Sequence, residues 1–173
     1  SDTAQLTLED VMLGSELRIG DEGDGYKIAL ANLETGRIGI AAQSVGMARA
    51  ALEHARAYAM ERRAFGKRIF DHQAVAFRLA DMATELEAAQ SLTLQAAAIK
   101  EAGQPCLKQA CMAKLFASEA AERICSGAVQ ILGGYGYTRD YPVEKIYRDV
   151  RVCQIYEGTS DVQKLIISRQ LDL

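Results

Sequence analysis

Apolar residues recur at steps of three and four along three long stretches of the chain, and no proline interrupts any of them. The first stretch begins at Tyr26 and carries Leu30, Leu33, Arg37, Ala41, Val45, Ala48, Leu52, Ala55 and Ala59 on one face. That face requires one helix of about thirty residues or more. The second runs from about His72 to Ala102, with Val75, Leu79, Met82, Leu86, Ala89, Thr93 and Ala96 in its stripe, and stops before Gly103 and Pro105. The third runs from about Leu107 to Leu132 through Ala110, Lys114, Ala117, Ala121, Ile124, Ala128 and Ile131, and is stopped by Gly133 and Gly134. A chain bound to three such helices has few ways to bury their stripes other than against one another.

Shorter elements complete the pattern. Val143 to Val150 reads as a short amphipathic helix after Pro142, and a last helix begins near Ser160. Ser160 and Gln163 have the spacing of a capping box, in which the hydroxyl and the amide satisfy the free amides of a first turn. The expected fold is therefore all-α, an antiparallel up-and-down four-helix bundle with short extra helices and more than about 60% helix. Residues 1–25 differ from the rest. Leu6 to Leu8 and Val11 to Leu13 read as short extended pieces, and Gly20 to Gly25 is an acidic, turn-rich connector. The division expected is a remnant of a preceding β-domain with its linker over 1–25 and a helical bundle over 26–173, with any strand confined to the first part.

Composition excludes several classes. The net charge is −3 with mixed signs and no basic stripe, so nucleic acid is not an expected partner. No apolar run of membrane-spanning length and no signal-peptide pattern is present, so no membrane association is expected. Cys106, Cys111, Cys125 and Cys153 lack metal-binding spacing, and the two histidines, His54 and His72, stand far apart, so no metal site is expected. The cysteines read as reduced core thiols, in keeping with a reducing compartment.

Chemistry is concentrated between the helices. Glu61 to Ile69 holds four cations around Phe65 and Gly66. A basic loop suits the C-terminal end of a helix, where the dipole favours cations; it also suits phosphate, because arginine forks match phosphate oxygens and Phe65 offers a stacking face. Gln130 to Tyr137 places three glycines in four positions, which lets a backbone approach a ligand, although no strand precedes it as in a dinucleotide fingerprint. Glu157 follows the apolar pair Ile155 and Tyr156 and precedes Gly158, just ahead of a helix N-terminus. Its carboxylate either complements the dipole or acts as a base whose pKa an apolar loop raises. Arg37 lies on a core-facing stripe, where a guanidinium needs a salt-bridge partner, a route to solvent or a polar cavity.

Taken together, these pieces closely resemble the acyl-CoA dehydrogenase family, from about Leu6 to Leu171. Four segments carry the likeness: Gly36 to Ala41; Arg62 to Gly66 followed by Gln73; Gln130 to Tyr137 continued through Asp140, Lys145 and Asp149; and Ile155 to Asp161. The resemblance implies the family's C-terminal helical domain and its chemistry. A glutamate removes the pro-R α-proton of an acyl-CoA thioester, and a hydride passes from the β-carbon to flavin N5, giving a trans-2,3-enoyl-CoA.

Residue by residue, Glu157 matches the base of the short- and medium-chain branch. Gly36, the residue before Arg37, stands where another branch carries its base. The implied cofactor is FAD. Arg62 matches a contact to its pyrophosphate, Phe65 an aromatic beside it, and Gln73 a further contact. Gln130, Gly133 and Gly134 match the backbone-and-amide site for the dinucleotide, and Thr159 and Asp161 further FAD contacts. Arg37, Tyr156 and Gly158 match positions beside the acyl-CoA substrate. Glu34 stands where the family often has aspartate contacting CoA. The likeness also implies a homotetramer built as a dimer of dimers, electron transfer flavoprotein as acceptor, and a cytoplasmic or mitochondrial-matrix location. The segments implied to cover the other face of the flavin are not in the sequence. The competing readings are a helical assembly module without catalysis and a flavin oxidase relative.

Overall fold

The structure, a computed structural model, describes residues 4–171. It is 74% helical. Among the described residues there are five α-helices: α1 (Gly25–Glu61), α2 (Gln73–Glu101), α3 (Leu107–Leu132), α4 (Val143–Val150) and α5 (Ser160–Arg169). The bounds of α1 and α2 fall within a residue or two of those read from periodicity, and those of α3 and α4 coincide with them. Short connections return each long helix against the one before, and α5 closes the bundle on α3.

α3 is the central element. It packs against α1, α2, α4 and α5, and its seam with α1 is the most extensive in the molecule. The buried faces of both helices are rich in alanine. Ala41, Ala48, Ala51, Ala55 and Ala59 of α1 and Ala113, Ala117, Ala121 and Ala128 of α3 are essentially inaccessible. Small side chains let two helices approach closely along their full length. Leu79, Met82 and Leu86 of α2 fill the third side. Because the interior is close-packed, enlarging a seam residue strains it. Ala117→Leu is expected to destabilise the fold by about 1–3 kcal/mol, read as a lower urea midpoint at unchanged slope.

Two expectations are corrected. Residues 4–24 form no strand; they run along the surface with one 3-10 turn at Ser15–Leu17, and Leu6, Leu8, Val11, Met12, Leu13 and Ile19 are exposed. With nothing to pair against, an extended segment has no ladder. The strands among the described residues instead lie between α1 and α2, as a two-residue hairpin of β1 (Arg63–Ala64) and β2 (Lys67–Arg68). The cap of α5 is also shifted by one residue. Thr159 is the N-cap and its hydroxyl accepts from the Val162 N–H, while the Ser160 hydroxyl is buried without a partner. The Gln163 side chain turns away from the cap, to a different task. Among the described residues, no helix is long and apolar enough to cross a membrane.

Candidate active site

The sequence-derived candidates fall into two places. The first forms where the middle of α1 meets the turn that precedes α5. Val143 and Val150 of α4 and Cys153 of the 3-10 turn Arg151–Gln154 are fully buried and anchor this segment on the bundle. The chain then rises through Tyr156, whose hydroxyl donates 2.8 Å to Gln43 Oε1 of α1. Burial, with Cys153 alongside, pushes the Tyr156 pKa up to about 12, so its proton stays available for that bond.

Glu157 follows at φ 56 and Gly158 at φ 91, two left-handed residues in succession. For a glutamate this conformation costs on the order of 1–3 kcal/mol and persists only where the surroundings hold it. They do so through both carbonyls. Gln163 Nε2 donates to Glu157 O at 3.2 Å and to Gly158 O at 2.9 Å, and Lys114 Nζ donates to Gly158 O at 2.6 Å. A Cβ on Gly158 would stand 2.7 Å from Gln163 Nε2, so the turn needs glycine for room as well as for φ.

The turn aims the Glu157 carboxylate at α1. A Cβ built on Gly36 would lie 2.9 Å from Glu157 Cδ and nearer still to Oε2. The absence of a side chain at Gly36 is therefore what gives the carboxylate its place. Oε2 is buried with no hydrogen-bond partner, and the Glu157 N–H donates to no acceptor among the described residues. Arg37, the next residue of α1, is 5% exposed, forms no ion pair among the described residues and leaves Nε without a partner. The salt-bridge reading of Arg37 thus finds no partner among the described residues. Glu157 Oε2, the Glu157 N–H and Arg37 Nε keep unfilled hydrogen-bonding capacity, and a carboxylate with a free backbone N–H is suited to taking a proton beside a polarised carbonyl.

Glu34 shares the α1 face of Arg37, one turn earlier, yet its carboxylate is engaged. Lys100 Nζ donates to Oε1 at 2.8 Å and Cys106 Sγ at 3.3 Å. The Lys100 hydrogen bond, opposed by partial burial, holds its carboxyl below the ordinary value.

The second place lies at the C-terminal ends of α1 and α3. An open cleft of about 440 Å³ is lined by Tyr58, Arg62, Ile69, Gly134, Tyr135 and Thr138. Three of the four cations in this region serve the hairpin itself. Arg68 pairs with Asp71 at 2.9 Å, Lys67 donates to Asp71 O, and Arg63 donates to Gly66 O. Arg62 is left over: it makes no ion pair among the described residues, and its guanidinium lies 6.0 Å from the Tyr135 ring centre. Local hydrogen bonds within the hairpin and the turn after it account for the other three, and Arg62 retains capacity for an anion. Phe65, at the hairpin tip with φ 52, is 96% exposed. Gln73, Gln130, Gly133, Thr159 and Asp161 are all exposed; Thr159 and Asp161 sit at the start of α5, away from the Arg62 cleft. No group of three or more His, Cys, Asp or Glu that could hold a metal occurs among the described residues.

Sequence reasoning passes over Lys114 and Gln163. Lys114 stands on the stripe of α3 just as Arg37 stands on that of α1, and a second cation on an apolar face was the available signal. Gln163 is hidden by its fit to a capping box. The four cysteines are buried and free, as read, and burial pushes the Cys125 thiol up to about 12.

The family described as "Acyl-CoA dehydrogenase, C-terminal domain" matches residues 23–171. An acyl-CoA dehydrogenase of Bacillus subtilis is 53% identical over 171 residues, which is 99% of this chain and 45% of the relative. The caffeyl-CoA reductase-Etf complex subunit CarC of Acetobacterium woodii is 50% identical over 169 residues, 98% of this chain and 45% of that protein. The solved butyryl-CoA dehydrogenase of Megasphaera elsdenii superposes with a TM-score of 0.94 at 45% identity, over 95% of this chain and 43% of that one. The chain thus spans less than half the length of the relatives it matches. By sequence and by fold, the chain belongs to the acyl-CoA dehydrogenase family and carries its C-terminal helical domain.

Proposed function

We propose that, within a full-length protein, this domain supplies the base and part of the FAD site of an acyl-CoA dehydrogenase that desaturates a thioester between its α- and β-carbons. The observation that carries the reading is the Glu157 carboxylate, turned by two left-handed residues into the space left by Gly36, with one oxygen buried and unpartnered. Glu157 takes the α-proton. Its free backbone N–H donates to the thioester carbonyl as negative charge develops there. Arg37 borders the same pocket, and Tyr156 and Gly158 flank the acyl chain. Glu34, already paired with Lys100, faces the CoA side.

The cleft at Arg62 fits the phosphate-bearing part of a dinucleotide: an unpaired guanidinium, a backbone open at Gly134 and an exposed aromatic at Phe65. Arg62, Phe65, Gln73, Gln130, Gly133 and Gly134 would hold FAD there, with Thr159 and Asp161 as contacts from α5. The bound flavin ring supplies the acceptor for the hydride that leaves the β-carbon. Two exposed aromatics, Phe65 and Tyr137, suit burial against other copies, consistent with a dimer of dimers in which this cleft and Glu157 serve different flavins. The apolar stretch 4–19 suits the end of a preceding β-domain. The name of the Acetobacterium relative supports an electron transfer flavoprotein as partner. Four buried free thiols suit a reducing interior.

The test is anaerobic mixing of the FAD-loaded full-length protein with butyryl-CoA. Bleaching of the flavin absorbance is expected, with little oxygen consumption in air. Absence of bleaching with short and medium saturated acyl-CoAs would sink the proposal, and rapid oxygen uptake would favour an oxidase. The 173-residue chain alone is expected to lose FAD on gel filtration. In the full-length protein, Arg62→Ala should weaken FAD retention by about 1.5–3 kcal/mol, the worth of a hydrogen bond to a charged group, read by fluorescence titration of the apoprotein.

A further inference from the structure

Lys114 is the largest fully buried side chain among the described residues, at zero exposure. A buried ammonium has given up its water and needs a return. A carboxylate is the usual one, yet Lys114 forms no ion pair among the described residues. Its recorded bond is to the Gly158 carbonyl at 2.6 Å. That carbonyl already accepts from Gln163 Nε2 at 2.9 Å. The fold therefore has no unmet need that requires a cation here; an apolar side chain of similar volume would serve the bundle as well or better. What the position offers is its neighbourhood. Lys114 lies beneath the left-handed turn of Glu157, and the charged or titratable groups facing it are Arg37 from α1, Cys111 from α3, Cys153 from the 3-10 turn and Glu157 itself. Tyr156 faces Glu157 from the same loop.

Building on the reading of Glu157 as the base, we infer that Lys114 is its positioning residue: the ammonium fixes the Gly158 carbonyl, and with it the left-handed turn that aims the Glu157 carboxylate at Gly36. Losing the bond lets the turn relax from a conformation that is unfavourable for glutamate, and a displacement of about 1 Å at a reacting group can cost on the order of 10²-fold in rate. Burial lowers the pKa of Lys114 itself, Cys153 and Glu157 raise it, and Arg37 lowers it further.

The experiment uses FAD-loaded full-length protein and stopped-flow bleaching over a range of butyryl-CoA concentrations. Lys114→Met is expected to keep its flavin and melt at or above the parent temperature. Its maximal bleaching rate should be about 10²-fold lower, with acyl-CoA affinity changed less. Lys114→Gln keeps a donor for Gly158 and should recover most of the parental rate. A parental rate in Lys114→Met, or a loss of about 10²-fold in Lys114→Gln as well, overturns the inference. If Lys114→Met loses its flavin, Lys114→Gln decides alone. Loss of flavin in both assigns Lys114 to folding and also overturns it. Failure of the parent to bleach, by contrast, removes the base assignment on which the inference stands.

Discussion

Glu157→Gln in the full-length protein leaves FAD and acyl-CoA binding nearly intact and slows flavin bleaching by about 10⁴-fold, the upper end of what loss of a general base costs. Glutamine is close to isosteric, keeps the backbone N–H and fits the space at Gly36, but it cannot accept the α-proton. The upper end applies because the hydride cannot leave usefully until the α-carbon has given up that proton. Glu157→Asp should retain some activity, limited by a reach one methylene short. Anaerobic stopped-flow with butyryl-CoA makes the measurement, and a Gln variant within about tenfold of the parent, far inside the general-base range, would place the base elsewhere. Glu34 would be the next carboxylate to consider, since it shares the face of Arg37. It is a poor substitute, because Lys100 and Cys106 already occupy its oxygen.

Gly36→Ala has the second large effect, and it separates activity from stability. Alanine in mid-helix is favoured over glycine by up to about 1 kcal/mol, so α1 should gain. The new methyl would meet Glu157 Cδ at 2.9 Å and Oε2 more closely still, so the carboxylate must move. A displaced base costs on the order of 10²-fold. The expected pair of results is an equal or higher melting temperature and a bleaching rate lowered by about that factor, with acyl-CoA affinity changed less. A variant that reduces its flavin at the parental rate would show that the carboxylate works from another rotamer.

The long helices were legible because each carries an unbroken stripe and ends at glycine or a break in period; α3 was read to the residue for that reason. The hairpin at Arg63–Arg68 was not, since two-residue strands show no period. The cap of α5 was misplaced by one because Thr159 and Ser160 are both good N-caps and Gln163 completes a box with the second. What decides between them is tertiary: the carbonyls of Glu157 and Gly158 claim the Gln163 amide. The site was legible as pieces through family likeness. That Gly36 and Glu157 touch, and that Lys114 secures the turn, depends on the register of α1 against α3, which no local pattern encodes. In the basic loop, counting four cations could not reveal that Arg62 alone is spare.

The alanine seam between α1 and α3 sets an asymmetry in what the chain tolerates. Alanine has no rotamers to freeze, so ordering this interface sacrifices almost no side-chain entropy. The gain from each methyl is correspondingly small, about 0.8 kcal/mol per buried carbon, and the chain has four phenylalanines and no tryptophan to concentrate it. Cohesion is therefore distributed thinly along the whole length of two helices. Loss of any one contact is a minor event, whereas added carbons along the seam strain the packing of both helices. Sequence drift in such a domain is bounded by volume far more tightly than by hydrophobicity.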